Sequence, residues 1–352
     1  MEKEIKIAAA SKIGYHQKKI RDYLNDDNIY PASLELDISS RCNLKCSDCP
    51  SSRGSKYWNL EIKFIERLFE MLSGKTKGLL MTGGEPTMAE SFPEVIKIAR
   101  RYKFEDIAVV TNGSFLDTAK VYRALLNYAS TIRISIYDWN SDLCGGIDKT
   151  LRKIEHMRER IEKSGSKLQI GISVLTSNEM AESIFSMGEL IQSAGAHWIY
   201  FHPTCIKWDR GSPEQVKQSN VLDNIIEYQN RNGSNVFILE ERYKEYGLTF
   251  RKYHAANFLL VVGADGKNYL GAEVKYQPSH VLWDLKNNWR DDFLWHPDRL
   301  RHIASVNDQN YLAIRSRHRG VLYNNFIESF IADKIQDGFS PPHLEFKFPH
   351  IL

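Results

Sequence analysis

Apolar residues recur along this chain with two different periods, and the two take turns. The stretch Ser33-Leu34-Glu35-Leu36-Asp37-Ile38 is apolar at every second position, the pattern of a β-strand. Residues 61–72 switch to helical spacing, with Ile62, Ile65, Leu68, Phe69 and Leu72 on one face. Apolar runs at 78–82, 106–110, 131–136, 168–174 and 197–202 then alternate with helix-period segments at 91–102, 117–129, 147–164 and 179–194. Strands alternating with helices predict a parallel sheet wrapped by helices. Right-handed crossovers curl such a sheet in one direction.

The two ends read differently. Ile13, Ile20 and Leu24 stand at helical spacing within residues 6–25, and Asn25-Asp26-Asp27-Asn28 closes that element. After a polar stretch at 209–220 comes a helix at 221–231, and then strands. Phe258-Leu259-Leu260-Val261-Val262 and Asn268-Tyr269-Leu270 flank Asp265-Gly266 and read as a β-hairpin. The expected division is an N-terminal helix in 1–31, an α/β core in 32–208 and a smaller α+β extension in 209–352.

Composition narrows the function classes. The 352 residues include 47 basic and 44 acidic side chains, a net charge of +3, which is no footprint for dedicated nucleic-acid binding. No apolar run approaches the roughly 20 residues that span a bilayer, so no membrane association is expected. Met1-Glu2-Lys3-Glu4-Ile5-Lys6 carries acidic residues and no apolar run, so a signal peptide is not expected. Five cysteines form no disulfide framework and suit a reducing, cytoplasmic setting.

Three of those cysteines, Cys42, Cys46 and Cys49, stand within eight residues as C-x3-C-x2-C, directly after the first strand. Three thiolates from one loop make a soft-metal site. Structural zinc usually takes four protein ligands in a closed tetrahedron, and three suits a [4Fe–4S] cluster with one iron left open. Zinc or a redox-active thiol group remains the alternative for the triplet taken alone. The second strand ends in Gly83-Gly84-Glu85-Pro86. The glycines allow close backbone approach to a ligand, Glu85 offers an acceptor for an ammonium group, and Pro86 fixes the following turn.

A strand, C-x3-C-x2-C, a helix and a strand ending in Gly-Gly-Glu-Pro together resemble the radical S-adenosylmethionine (radical SAM) superfamily. The resemblance covers roughly residues 32–205 and implies a partial (β/α)6 barrel. It implies that Cys42, Cys46 and Cys49 hold one [4Fe–4S] cluster whose open iron chelates the methionine part of S-adenosylmethionine. An electron from a donor such as flavodoxin or ferredoxin then cleaves that cofactor to a 5′-deoxyadenosyl radical, which removes a hydrogen atom from a substrate. One departure is Asp48, where the family often has an aromatic or apolar residue near the adenine.

Active sites of parallel α/β barrels lie at the C-terminal strand ends. That rule gathers the cysteine loop, Gly83 to Pro86 and Thr111-Asn112-Gly113. Asn112 is read as a hydrogen-bond partner of S-adenosylmethionine or as a turn residue beside Gly113. Ser135 is read as a ribose or carboxylate contact, against a small polar residue satisfied in the barrel interior. Ser173, Thr176 and His202 are weaker candidates on later strands. Cys144 and Cys205 are read as hydrogen-atom donors or, more ordinarily, as small buried hydrophobes.

The hairpin resembles the start of the C-terminal SPASM or twitch extensions of radical SAM enzymes, whose cysteines bind auxiliary clusters. Here Gly271-Ala272-Glu273 follows it, and no cysteine occurs beyond Cys205. A single cluster is therefore expected; a second would need ligands such as His318 or His343. Arg315-Ser316-Arg317-His318-Arg319 reads as a solvated face or an anion grip. The expected function is hydrogen abstraction from a small polar molecule such as a sugar, nucleotide-sugar or natural-product intermediate. The alternatives are a peptide-modifying maturase and, more remotely, a zinc-holding scaffold.

Overall fold

A computed structural model describes residues 5–6, 10–46, 49, 57–136, 146–203, 219–244, 249–311, 319–332 and 345–352. Strand β1 (Ile5–Lys6) pairs in parallel with β12 (Glu345–Phe346) in a small sheet of its own. The main sheet has ten strands. Seven run parallel as consecutive neighbours: β2 (Ser33–Asp37), β3 (Gly78–Thr82), β4 (Asp106–Thr111), β5 (Thr131–Ile136), β6 (Gln169–Thr176), β7 (Trp198–Pro203) and β8 (Val236–Ile238). On the other side of β2, β9 (Leu259–Val262) adds a further parallel strand. The antiparallel strands β10 (Lys267–Tyr269) and β11 (Val281–Asp284) complete that edge. Strands β8 and β11 lie at opposite ends of the order, so the sheet curls without closing. This is the expected α/β architecture of a partial barrel.

Two boundaries differ from the sequence reading. The N-terminal element is not one helix. Its start is β1, Ala10–His16 forms 3-10 turns, and only α1 (Gln17–Leu24) is α-helical. Gly14 lies in the 3-10 stretch, and glycine gives up the most backbone freedom in a helix. The short strand β8 was not foreseen either. Three residues carry too little period to distinguish a strand from a loop.

Helices α2 (Ile62–Leu72), α3 (Phe92–Arg101), α4 (Ala119–Tyr128), α5 (Ile147–Ser164) and α6 (Ile184–Ser193) form the crossovers. Helix α2 buries Ile65, Leu68, Phe69 and Leu72, as its spacing predicts. Ile62, at its first turn, stays exposed. Helix α7 (Ser219–Asn232) leads into β8, and α8 (Glu241–Lys244) follows.

Side-chain alternation sorts the strands into two faces. Leu34, Leu36, Met81, Val109, Ile134 and Ile172 join the core under the helices. Their neighbours in sequence, among them Glu35, Asp37, Thr82, Arg133, Ser135 and Ser173, face the barrel interior. Helix α9 (Pro297–Ser305) and helix α10 (Arg319–Ala332) belong to the C-terminal region. Leu322 of α10 packs with Trp198, Tyr200, Phe237 and Leu239 on the β7–β8 side. Val321, Tyr323 and Ile327 of the same helix pack with Ile13, Ile20 and Phe258 on the other side. Helix α10 thus spans the gap that the open sheet leaves.

One buried cation pins this region. Arg299 is 1 % exposed. Its guanidinium donates to Asn268 Oδ1 (2.9 Å), Leu294 O (2.8 Å) and Ala256 O (2.8 Å). Burial lowers its pKa to about 10. Arg299→Met is expected to leave three buried acceptors unpaired and to destabilise the protein by about 3 kcal/mol or more. A denaturant midpoint within error of the parent would show that these bonds carry no stability.

Candidate functional site

The cysteine loop grows out of the end of β2 on a short antiparallel stem. Ser39 bridges to Asn59, Leu60 N donates to Ile38 O (3.0 Å), and Ser40 N donates to Trp58 O (3.0 Å). Trp58 N returns a bond to Ser40 Oγ (2.8 Å), so both ends of the loop are held together. Cys42, Cys46 and Cys49 are all half-buried on this loop, and Cys49 N donates to Cys46 O (3.3 Å). Burial raises the Cys42 thiol, and the charges of Glu85 and Cys49 add to that shift. Ligation therefore requires release of its proton.

Gly83 and Gly84 sit directly against this loop. Gly83 has φ +118°, which favours glycine, and a Cβ there would lie 2.4 Å from Ser39 O. A Cβ on Gly84 would lie 2.1 Å from Arg41 O. Gly84 N donates to Ser39 O (2.9 Å) and Glu85 N to Arg41 O (2.7 Å). In this structure the close approach that the glycines permit is to the backbone of the cysteine loop.

Glu85 is 1 % exposed, and its side chain joins its own turn to the end of β4. Its Oε1 accepts from Thr87 N (3.0 Å), the Thr87 hydroxyl and Thr111 Oγ1 (2.7 Å). Its Oε2 accepts from Asn112 N (2.7 Å). Burial raises its pKa, and these bonds oppose the rise. Pro86 is buried and opens the short 3-10 turn Pro86–Met88.

Asn112 reaches back to the cysteine loop. Its Nδ2 donates to Asn43 Oδ1 (2.9 Å) and lies 3.7 Å from Cys42 Sγ, while its Oδ1 accepts from Ser114 N (2.9 Å). It is both a turn residue beside Gly113 and a tether of the loop. Asn43 Nδ2 donates to Ser114 Oγ (2.9 Å) and doubles the connection. The strand-end rule thus brings the cysteine loop, Gly83 to Pro86 and Asn112 into one constellation.

Ser135 lies elsewhere in the interior, on β5, in register with Ser173 of β6. Ser173 Oγ is 2.8 Å from His202 Nε2, and the His202 ring stacks on Tyr200 at 5.1 Å. Thr176 Oγ1 is 2.8 Å from the Tyr243 hydroxyl, and Arg242 donates to the Tyr200 hydroxyl (3.1 Å). Ser135, Ser173, Tyr200 and His202 form a polar and aromatic wall across β5–β7 that Arg242 reaches from α8, whereas Thr176 alternates to the other face, where Tyr243 packs in the helix-side core. Asp48, Cys144, Cys205, Arg315, Arg317, His318 and His343 lie outside the described residues.

The sequence reading missed a buried charge network beneath the loop. Lys275 Nζ donates to Asp37 Oδ1 (2.7 Å), Glu35 Oε1 (3.0 Å) and Thr82 Oγ1 (3.1 Å). Burial works to lower its pKa, but Asp37 and Glu35 outweigh that and raise it. Tyr276 donates to Asp37 Oδ2 (2.7 Å). The signal was present: two acids at alternate positions of an apolar strand require buried partners.

Three free thiols on one loop are the donor chemistry of a thiolate-ligated cluster. Among the described residues, no group of three His, Cys, Asp or Glu side chains is gathered closely enough to hold a single metal ion.

Comparison with known proteins agrees with this geometry. Residues 36–185 match the model of the radical SAM superfamily. The chain is 28 % identical over 184 residues to GTP 3′,8-cyclase of Photorhabdus laumondii subsp. laumondii, covering 50 % of this chain and 53 % of that protein. It is 34 % identical over 83 residues to 7,8-dihydro-6-hydroxymethylpterin dimethyltransferase of Methanocaldococcus jannaschii, covering 22 % and 16 %. The chain thus spans about half the length of the first relative and far less of the second. The fold resembles that of SuiB from Streptococcus suis bound to S-adenosylmethionine, with TM-score 0.62, 15 % identity and coverage of 83 % and 72 %. Against SuiB bound to the precursor peptide SuiA the TM-score is 0.63, at 14 % identity and coverage of 91 % and 76 %. These structural likenesses are of fold. Residues 36–185 are thus a radical SAM domain, and members of that superfamily use a [4Fe–4S] cluster and S-adenosylmethionine. Among the described residues, no helix is long and apolar enough to cross a membrane.

Gly84→Ala is expected to push Arg41 and the cysteine loop aside, at about 1–3 kcal/mol for overpacking. The check is iron retained after anaerobic reconstitution and desalting. Retention equal to the parent would show that the loop tolerates the added methyl group.

Proposed function

We propose that this chain is a radical SAM enzyme that acts on a small polar substrate, with Cys42, Cys46 and Cys49 as the cluster ligands. The observation that carries the reading is the convergence of the cysteine loop with Gly83, Gly84 and Glu85 through two backbone hydrogen bonds at the strand ends. A bound cluster would deliver one electron to S-adenosylmethionine, releasing methionine and a 5′-deoxyadenosyl radical that takes a hydrogen atom from the substrate. The electron would come from a reduced carrier such as flavodoxin or ferredoxin.

This chain's own residues would position and shield that chemistry. Gly83 to Pro86 form the rim beside the loop, and Asn112 ties that rim to the end of β4. Ser135 on β5 faces the same interior and serves as a contact for the sugar or carboxylate of the cofactor in this reading. The interior wall of Ser173, His202, Tyr200 and Arg242 offers hydrogen bonds and ring stacking, which suit a compact polar molecule. The similarity to a GTP cyclase and a pterin dimethyltransferase supports the same substrate class. In this reading residues 32–208 form the catalytic core. Residues 209–352 form a SPASM/twitch-like extension without cluster cysteines, which covers the barrel mouth and shapes the pocket.

The test is anaerobic reconstitution of the full-length chain. About four irons per chain are expected, together with slow formation of 5′-deoxyadenosine from S-adenosylmethionine under dithionite. Alanine at Cys42, Cys46 or Cys49 is expected to abolish both. A full cluster in any single variant would remove that cysteine from the ligand set, and a [4Fe–4S] signal in the triple variant would reveal a second cluster. Hydrogen transfer into 5′-deoxyadenosine from deuterated nucleotides and sugars, but not from deuterated peptides, separates the proposed substrate class from a peptide maturase.

A further inference from the structure

The C-terminal region reaches the cysteine loop through two adjacent residues, Lys275 and Tyr276. The Tyr276 ring lies flat against Trp58, with centroids 5.5 Å apart and planes 3° from parallel. Trp58 is the residue whose backbone closes the stem by bonding Ser40 in both directions. The Tyr276 hydroxyl meanwhile donates to Asp37 Oδ2 (2.7 Å) and accepts from Ala264 N (3.2 Å). Lys275 holds the other oxygen of the same carboxylate. Asp37 in turn accepts from Thr82 Oγ1 (2.6 Å), and its side chain lies against Gly83. Two neighbouring residues of the extension therefore grip the strand that launches the loop, the stem that returns it and the glycine turn beside it.

The backbone supports the same conclusion. Tyr276 has φ +65°, a conformation that L side chains rarely adopt. Strain of this kind persists where surrounding contacts over-determine it, and such residues cluster at functional sites. Here the contacts are the Trp58 ring on one side and the Asp37 carboxylate on the other. Lys275 is 4 % exposed, and its desolvated ammonium is held by the Asp37 and Glu35 carboxylates and the Thr82 hydroxyl. The extension has no cysteine with which to hold a metal, yet it makes direct contact with the loop.

We propose that Lys275 and Tyr276 are positioning residues for the cysteine loop, acting through Asp37 and through the Tyr276–Trp58 stack. The inference rests on the reading of that loop as a [4Fe–4S] site. Its consequence is mechanical: the extension sets where the cluster and S-adenosylmethionine sit.

The experiment uses the reconstituted full-length chain with Tyr276→Leu, Trp58→Leu and the double variant. The readouts are affinity for S-adenosylmethionine and the EPR spectrum of the reduced cluster with and without it. Each single variant is expected to weaken binding about tenfold and to alter the spectral change that S-adenosylmethionine induces. The double variant is expected to lose about the same tenfold rather than a hundredfold, because residues acting through one contact are not additive. Tyr276→Phe keeps the stack but loses the bond to Asp37, and is expected to fall between the parent and Tyr276→Leu. Trp58 is half-buried on the stem, so its replacement tests the contact even where Tyr276→Leu fails to fold. Parent-like affinity and spectra in Trp58→Leu, or losses that multiply in the double variant, would overturn the proposal. A parent protein that binds neither cluster nor S-adenosylmethionine would instead overturn the reading of the loop, and this inference with it.

Discussion

The site depends on the buried ion network of Glu35, Asp37 and Lys275. Two acids on the interior face of one strand are costly to desolvate, and a single ammonium from 238 and 240 residues away holds both. That arrangement couples elements the chain order keeps far apart. The strand before the cysteines, the threonine before the glycine turn and the segment after the hairpin all bond to the same few atoms. Removing one partner from such a network leaves an uncompensated buried charge, so these segments hold their places together.

The same economy of parts appears at the rim. Glu85 is buried and gathers donors from its own turn and from the end of β4. Asn112 turns that strand end back onto the cysteine loop. The rim is thus tied together by hydrogen bonds among the chain's own residues.

The open barrel makes the C-terminal region part of the architecture. The hairpin of β9 and β10 extends the sheet directly from β2, and α10 crosses the gap on the opposite side. An open parallel sheet leaves an unpaired edge and an uncovered interior. Here the edge beyond β2 is occupied, and Leu322 covers the wall formed by Trp198 and Phe237.

The sequence by itself determined the alternation of strands and helices, the position of the cysteine loop and the Gly83-Gly84-Glu85-Pro86 turn after the second core strand. These are local properties: period, spacing and residue type within about ten positions of one another. It also showed that Asp265-Gly266 turns a hairpin, and Gly266 does take φ +79°. Only the tertiary structure decided that Gly83 and Gly84 press on the cysteine loop, that β9 joins β2, and that Lys275 and Tyr276 reach Asp37. Those facts depend on which residue meets which across hundreds of positions, and a period along the chain carries no information about that. Glu35 and Asp37 show the limit well: their buried strand announced that a partner was needed, and only the folded chain says that the partner is Lys275.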